Sequence, residues 1–116
     1  MKSTVVLLSV AGFLVFAGHA YADGKAVYEQ VCMKCHRTGV LGAPVAGNKA
    51  AWEPRVKAGK DSLYESSLNG KNDMPPKGGN DSLSAEHVKS AVDYLLGLAG
   101  LELAKGGNLT VQTETR

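Results

Sequence analysis

The distribution of apolar and polar residues predicts a chain built from helices. Between Gly24 and Cys35, apolar positions recur on one face of a helix, which leads directly into His36. A longer apolar stripe follows Ser84 and comprises Val88, Ala91, Val92, Leu95, Leu96 and Ala99. No run alternates between apolar and polar residues with a period of two, so we predict no sheet. The chain is therefore expected to be all-α.

Two shorter helices are predicted between these segments from their capping and breaking residues. Residues 61–69 form a helical pattern in which Asp61 or its neighbour Ser62 is expected to be the N-cap. Residues 50–57 are predicted as a short helix, limited by Pro54 to a first turn. The two stretches rich in glycine and proline are expected to be loops: residues 37–51 and 70–81.

The first 22 residues have the order of a secretory signal peptide: Lys2, an apolar run from Val5 to Ala17, and the small-residue site Ala20-Tyr21-Ala22. The apolar run is shorter than the roughly 20 residues of a spanning helix. We therefore favour cleavage after Ala22, export to the periplasm and no stable membrane insertion over an uncleaved anchor. The expected units are a signal peptide (1–22), one domain (23–99) and a partly disordered C-terminal extension (100–116), whose LELAK segment could continue the last helix.

Charge and composition exclude one class of function and suggest a cofactor. Lys and Arg number 13 against 11 Asp and Glu. This near balance argues against binding of nucleic acid through bulk charge. Large aromatic side chains are few, so a core for the mature chain looks thin. A bound cofactor would fill such a centre.

The sequence CMKCH, residues 32–36, supplies candidate chemistry. A redox dithiol would need an α/β scaffold, which the pattern does not predict, and a structural zinc would need a second ligand pair. Covalent attachment of a haem fits better, because Cys32 and Cys35 lie on one side of a helical turn and can each bond a vinyl group. His36 would then bind the iron, while the side chains of Met33 and Lys34 would point away from the haem.

The loop NDMPPKGG, residues 72–79, contains a candidate for the second axial ligand of such an iron. Met74 offers a neutral thioether, and the two prolines after it stiffen the loop that would hold it. The alternatives are His87, near the start of the last helix, a lysine, and an exposed Met74 with no ligand role. We favour His36 and Met74 as the two iron ligands.

These motifs resemble the class I cytochromes c. The segments GVLGAPVAGNKAAWEPR, LNGKNDMPPKGG and LSAEHVKSAVDYLL are similar to the bacterial cytochrome c5 group. The resemblance covers about residues 24–98. It implies a small cytochrome c fold, with 3–5 helices wrapped around one covalently attached haem c.

The resemblance also implies roles for further residues. The carbonyl of Pro44 would accept a hydrogen bond from His36 and fix its tautomer. Gly24 and Tyr28 would cross the last helix near Tyr94 and Leu95. Trp52 and Arg55 would lie near the haem propionates, with simple core packing as the alternative for Trp52.

The function expected on these grounds is that of an electron carrier and not of an enzyme, since an iron with two protein ligands has no open position for a substrate. Expected partners are a quinol-oxidising complex or dehydrogenase as donor and a terminal oxidase or reductase as acceptor. Lys34, Lys71 and Lys77 are candidates for steering an acidic partner. We expect a monomer or weak dimer. The alternatives are a five-coordinate haem enzyme and an obligate haem subunit of a larger oxidoreductase.

Overall fold

The computed structural model describes Gly12, residues 23–103 and residues 109–111. Except for Gly12, the predicted signal peptide lies outside the described residues. Most of the predicted C-terminal extension also lies outside them. No helix within the described part of the chain is long and apolar enough to cross a bilayer.

The first helical segment runs without a break from Gly24 to His36. It consists of α1 (Gly24–Val27), a π-helical turn (Tyr28–Cys32) and α2 (Met33–His36). Asp23 caps its start by accepting hydrogen bonds from two backbone N–H groups of the first turn. The helix predicted between Gly24 and Cys35 is therefore confirmed, and it delivers His36 at its end.

Helix α3 (Lys49–Val56) lies one residue earlier in the chain than predicted. It begins at the N-cap Asn48, whose side chain accepts from the N–H of Ala51. Pro54 lies inside the helix, so the expectation that it limits the helix to a first turn is wrong. A proline there costs about 3 kcal/mol, but burial of Trp52 and Val56 on the same helix offsets a cost of this size.

Helix α4 (Lys60–Asn69) starts one residue before the predicted cap. Gly59, with φ of 97°, precedes the helix and offers no side chain to its first turn. The prediction of Asp61 or Ser62 as N-cap is wrong, because both residues are inside the helix. Gly70 ends the helix with φ of 85°. A short 3₁₀ turn, Pro76–Gly79, follows in the loop.

Helix α5 (Ala85–Leu98) has its N-cap at Ser84, and its apolar stripe faces the core. It crosses the first helical segment closely at Gly24, where a Cβ would overlap the carbonyl of Ser90. The predicted close approach is thus present, one turn before Tyr94. The rings of Tyr28 and Tyr94 pack with centroids 5.4 Å apart.

A two-stranded antiparallel hairpin follows α5. Strand β1 (Leu101–Leu103) pairs with β2 (Leu109–Val111), so the expectations of no sheet and of a helix through LELAK are wrong. Leu101 is fully buried and joins the main core cluster with Tyr28, Trp52, Val56, Leu95, Leu96 and Ala99. The core therefore reaches past residue 99, while the fold remains that of a small helical domain, as predicted.

Candidate haem-binding site

The two cysteines lie one helical turn apart in the first helical segment. Cys32 ends the π-helical turn and Cys35 lies in α2, and both are half-buried free thiols. Burial raises the pKa of the Cys32 thiol. A raised pKa is the opposite of what an activated redox thiolate needs, so the dithiol interpretation gains no support. Two accessible thiols at this spacing fit a pair of thioether bonds.

A structural zinc site also gains no support. Within the described ranges, no three side chains among His, Cys, Asp and Glu come together in a way that could hold a metal ion. Structural zinc is normally bound by four such ligands.

His36 is fixed from the protein side. Its side chain is 7% exposed, and Nδ1 lies 2.8 Å from the carbonyl oxygen of Pro44. A carbonyl can only accept, so Nδ1 carries the proton and donates it. Nε2 is then left with a lone pair and can bind a metal. The hydrogen bond predicted for Pro44 is confirmed.

The loop after His36 provides a second acceptor for a neighbouring ring. The indole N–H of Trp52 donates to the carbonyl of Val45, at 3.0 Å, and the ring centroids of Trp52 and His36 are 5.6 Å apart. The backbone N–H of Ala46 also donates to the carbonyl of His36, at 2.7 Å. Successive carbonyls of residues 44 and 45 thus orient both rings.

Trp52 and Arg55, both expected near the haem propionates, differ in burial and in hydrogen bonding. Trp52 is buried and its N–H already has a backbone partner, so it lies here as a packing residue rather than as a free donor. Arg55 is exposed on α3, and its guanidinium donates to the carbonyl of Ala51.

Met74 is half-buried in a loop whose backbone is tightly closed. Lys71 and Met74 exchange two backbone hydrogen bonds, at 3.0 and 2.9 Å. Gly70 makes this closure possible, since its φ is 85° and a Cβ there would lie 2.8 Å from the carbonyl oxygen of Met74. The backbone position of Met74 is therefore fixed relative to the end of α4.

The same loop packs against the segment that carries the cysteines. A Cβ on Gly78 would lie 2.6 Å from a methyl group of Val31, the residue before Cys32. The structure thus brings the loop of Met74 next to the attachment motif, although the two are about 40 residues apart in sequence.

His87 has a different role from that of an axial ligand. Its side chain is exposed, and Nδ1 lies 2.8 Å from Oγ of Ser84, whose hydroxyl in turn accepts from the His87 N–H at 3.2 Å. Ser84 and His87 form the capping box of α5. This leaves Met74 as the better candidate of the two.

Sequence reasoning missed some contacts around the site. Met33 is half-buried and packs against the main core cluster, a contact that the sequence did not indicate. The role of Val45 depends on a backbone carbonyl, for which a sequence carries no signal. Of the lysines considered for steering, Lys34 and Lys71 are exposed and Lys77 is half-buried.

Comparison with known proteins agrees with this geometry. Residues 19–95 match the family described as "Cytochrome C oxidase, cbb3-type, subunit III". Cytochrome c-555 of Chlorobaculum tepidum is 43% identical, over 84% of this chain and 97% of the relative. Cytochrome c5 of Azotobacter vinelandii is 41% identical, over 70% of this chain and 100% of the relative.

A solved structure is also similar. The cytochrome c in an electron-transfer complex with nitrite reductase is 38% identical to the chain, with a TM-score of 0.64. The similarity covers 66% of this chain and 94% of the other. Attachment motif, fold and relatives thus point to the same class of protein.

Proposed function

The chain belongs to the class I c-type cytochromes, and from this premise we propose how its own residues bind the haem and serve electron transfer. It is a monohaem electron carrier and not an enzyme, with one covalently attached haem c. The five-coordinate enzyme and the obligate subunit are not favoured, because the relatives are small electron carriers.

The donor set on the chain fits the haem. Cys32 and Cys35 would form the two thioether bonds, and Nε2 of His36 and the sulfur of Met74 would bind the iron. When bound, the haem supplies an iron that alternates between two charge states. The observation that carries the assignment of His36 is the hydrogen bond from Nδ1 to Pro44, which makes Nε2 the lone-pair nitrogen of the neutral imidazole.

The surrounding residues hold the ligands still. Pro44 and Val45 orient the rings of His36 and Trp52, so the proximal side has little freedom to rearrange. A fixed ligand geometry keeps the reorganisation on electron transfer small. Arg55, exposed on α3, remains our candidate for pairing with a haem propionate.

Redox proteins are the partners of this carrier. We assign a quinol-oxidising complex or dehydrogenase as donor and a terminal oxidase or reductase as acceptor. The nitrite reductase complex of the similar cytochrome supports a reductase as acceptor. The order of charged, apolar and small residues in residues 1–22 supports export to the periplasm with cleavage after Ala22.

Absorption spectra of the oxidised and dithionite-reduced protein, with and without carbon monoxide, test the ligand assignment. The wild type should show a weak far-red sulfur-to-iron band when oxidised and no response to carbon monoxide when reduced. Met74→Ala should lose the far-red band and bind carbon monoxide. His87→Ala, the matched control, should behave like the wild type. If His87→Ala rather than Met74→Ala opens the iron to carbon monoxide, the assignment of Met74 is wrong.

A further inference from the structure

A cluster of polar side chains joins α4 to α5. The hydroxyl of Tyr64 donates to Oδ1 of Asp93 at 2.6 Å, and the ammonium of Lys60 lies 3.1 Å from the same oxygen. The ammonium groups of Lys60 and Lys89 lie 5.2 and 5.7 Å from the centroid of the Tyr64 ring. We call Tyr64, Asp93 and Lys60 the α4–α5 clasp.

The clasp is a distinctive link between helices. In the part of the chain that the structure describes, the Tyr64–Asp93 contact is the one hydrogen bond between side chains of different helices. The Lys60–Asp93 pair is likewise the one salt bridge there that joins two helices; the others link residues three or four apart. Two charge-assisted contacts thus converge on one carboxylate oxygen.

Helix α4 is also held by partly buried side chains. None of its residues is fully buried, and its N-cap Gly59 provides no side-chain hydrogen bond. Leu63 is partly buried and packs against the main core cluster. Apolar packing and the clasp therefore both hold α4 against the rest of the domain.

Helix α4 leads directly into the loop that contains Met74, the proposed second iron ligand. It ends at Gly70, and the backbone pairing of Lys71 with Met74 follows immediately. The close approach of Gly70 to the carbonyl of Met74 restricts movement of Met74 relative to the end of α4. A shift of α4 relative to α5 is therefore transmitted to Met74.

We propose that Tyr64, Asp93 and Lys60 are positioning residues that keep Met74 on the haem iron by holding α4 against α5. The proposal rests on the proposed ligation by Met74. Without the clasp, the folded protein spends more time with Met74 away from the iron. An external ligand then competes more successfully with Met74 for binding to the iron.

The test is the affinity of the oxidised holoprotein for imidazole, followed through loss of the far-red band. Tyr64→Phe removes the donor hydroxyl and keeps the ring. It should bind imidazole about fivefold more tightly than the wild type, the size expected for one net hydrogen bond. Asp93→Asn should give at least the same increase, because it also removes the charge that pairs with Lys60.

Tyr94→Phe is the matched control. It removes a phenol hydroxyl from the neighbouring position of α5, where the described residues provide no hydrogen bond to it. Its imidazole affinity should equal that of the wild type. Equal increases in imidazole affinity in Tyr64→Phe and Tyr94→Phe would mean that loss of any phenol hydroxyl destabilises the domain, and would overturn the proposal. No increase in Tyr64→Phe would also overturn it.

Failure of the clasp and failure of the Met74 assignment are distinguishable. If Met74→Ala keeps the far-red band, the ligand assignment is wrong, and the role given to the clasp fails with it. If Met74→Ala loses the band but Tyr64→Phe binds imidazole like the wild type, the ligand assignment stands and the clasp does not position it.

Discussion

Replacing Leu101 by alanine tests whether the residues after α5 belong to the haem domain. The Leu101 side chain is 0% exposed and packs in the core cluster that contains Trp52 and Val56. Trp52 in turn packs against the ring of His36. The hairpin that begins at Leu101 is thus connected through a buried side chain to the proximal side of the haem site.

The expected magnitude follows from the burial. Leucine-to-alanine changes at fully buried sites cost about 3–5 kcal/mol, the sum of lost transfer free energy and an unfilled cavity. Near the lower end, a loss of about 3 kcal/mol lowers the Tm of a domain of this size by roughly 12–24 °C. Such a loss is a large part of the stability of a small domain, although the covalent haem adds to that stability.

The assay is guanidinium unfolding of the oxidised holoprotein, followed by far-ultraviolet circular dichroism. Leu98→Ala is the matched control, because Leu98 is three residues away and 42% exposed. Its free energy of unfolding should change by no more than about 0.5 kcal/mol. If the two variants lose stability equally, Leu101 is not packed as the structure has it, and the domain does end near residue 99.

Three further predictions follow from single contacts. Gly24→Ala should lower the free energy of unfolding by about 1–3 kcal/mol in the same assay, because its Cβ would overlap the Ser90 carbonyl; a neutral result would contradict the close helix crossing. Gly70→Ala should weaken the far-red band and allow carbon monoxide to bind, since a Cβ there meets the carbonyl of Met74; an unchanged spectrum would refute this. Burial and the hydrogen bond to Asp93 raise the pKa of Tyr64 above 10.0, so the unfolded chain loses this proton first and the contribution to stability falls as the pH rises from about 10. Unfolding of wild type and Tyr64→Phe between neutral pH and pH about 11 should show the smaller alkaline loss in Tyr64→Phe, and equal losses would contradict it.

The sequence predicted those parts of the fold in which a local pattern coincides with burial. The stripe of α5 and the first helical segment have both, and the attachment motif lies at the end of a helix where its spacing requires it. The position of Met74 was also predictable as a loop position, because Pro75 and Gly78 disfavour an α-helix or a continuous strand around it.

The parts that sequence reasoning missed depend on tertiary contacts. Pro54 is tolerated in α3 because Trp52 and Val56 are buried on the same helix, which local propensity does not reveal. The strands β1 and β2 have three residues each, too few for a period of two to be recognised. Their pairing and the burial of Leu101 are contacts with distant residues.

Within the site, sequence reasoning reaches the residues that we propose to bind the haem, and it does not reach most of the contacts that support them. Cys32, Cys35, His36 and Met74 are recognised by residue type and spacing. The hydrogen bond to Pro44 was expected from family resemblance alone, since any backbone carbonyl could have accepted it. The indole N–H of Trp52 likewise donates to a backbone carbonyl, that of Val45. A position near a haem propionate was expected for Trp52 without knowledge of this hydrogen bond.

The two proposed axial ligands are held in different ways, and this difference has a consequence for function. The Nδ1 atom of His36 is held by a hydrogen bond to Pro44, eight positions away, so the orientation of its metal-binding nitrogen is set by local chain geometry. Met74 depends on the end of α4, on Gly70 and on the distant contact between Tyr64 and Asp93. Loss of one long-range contact can therefore release Met74 while His36 and both thioethers stay in place. Ligand exchange in this carrier should accordingly begin on the methionine side.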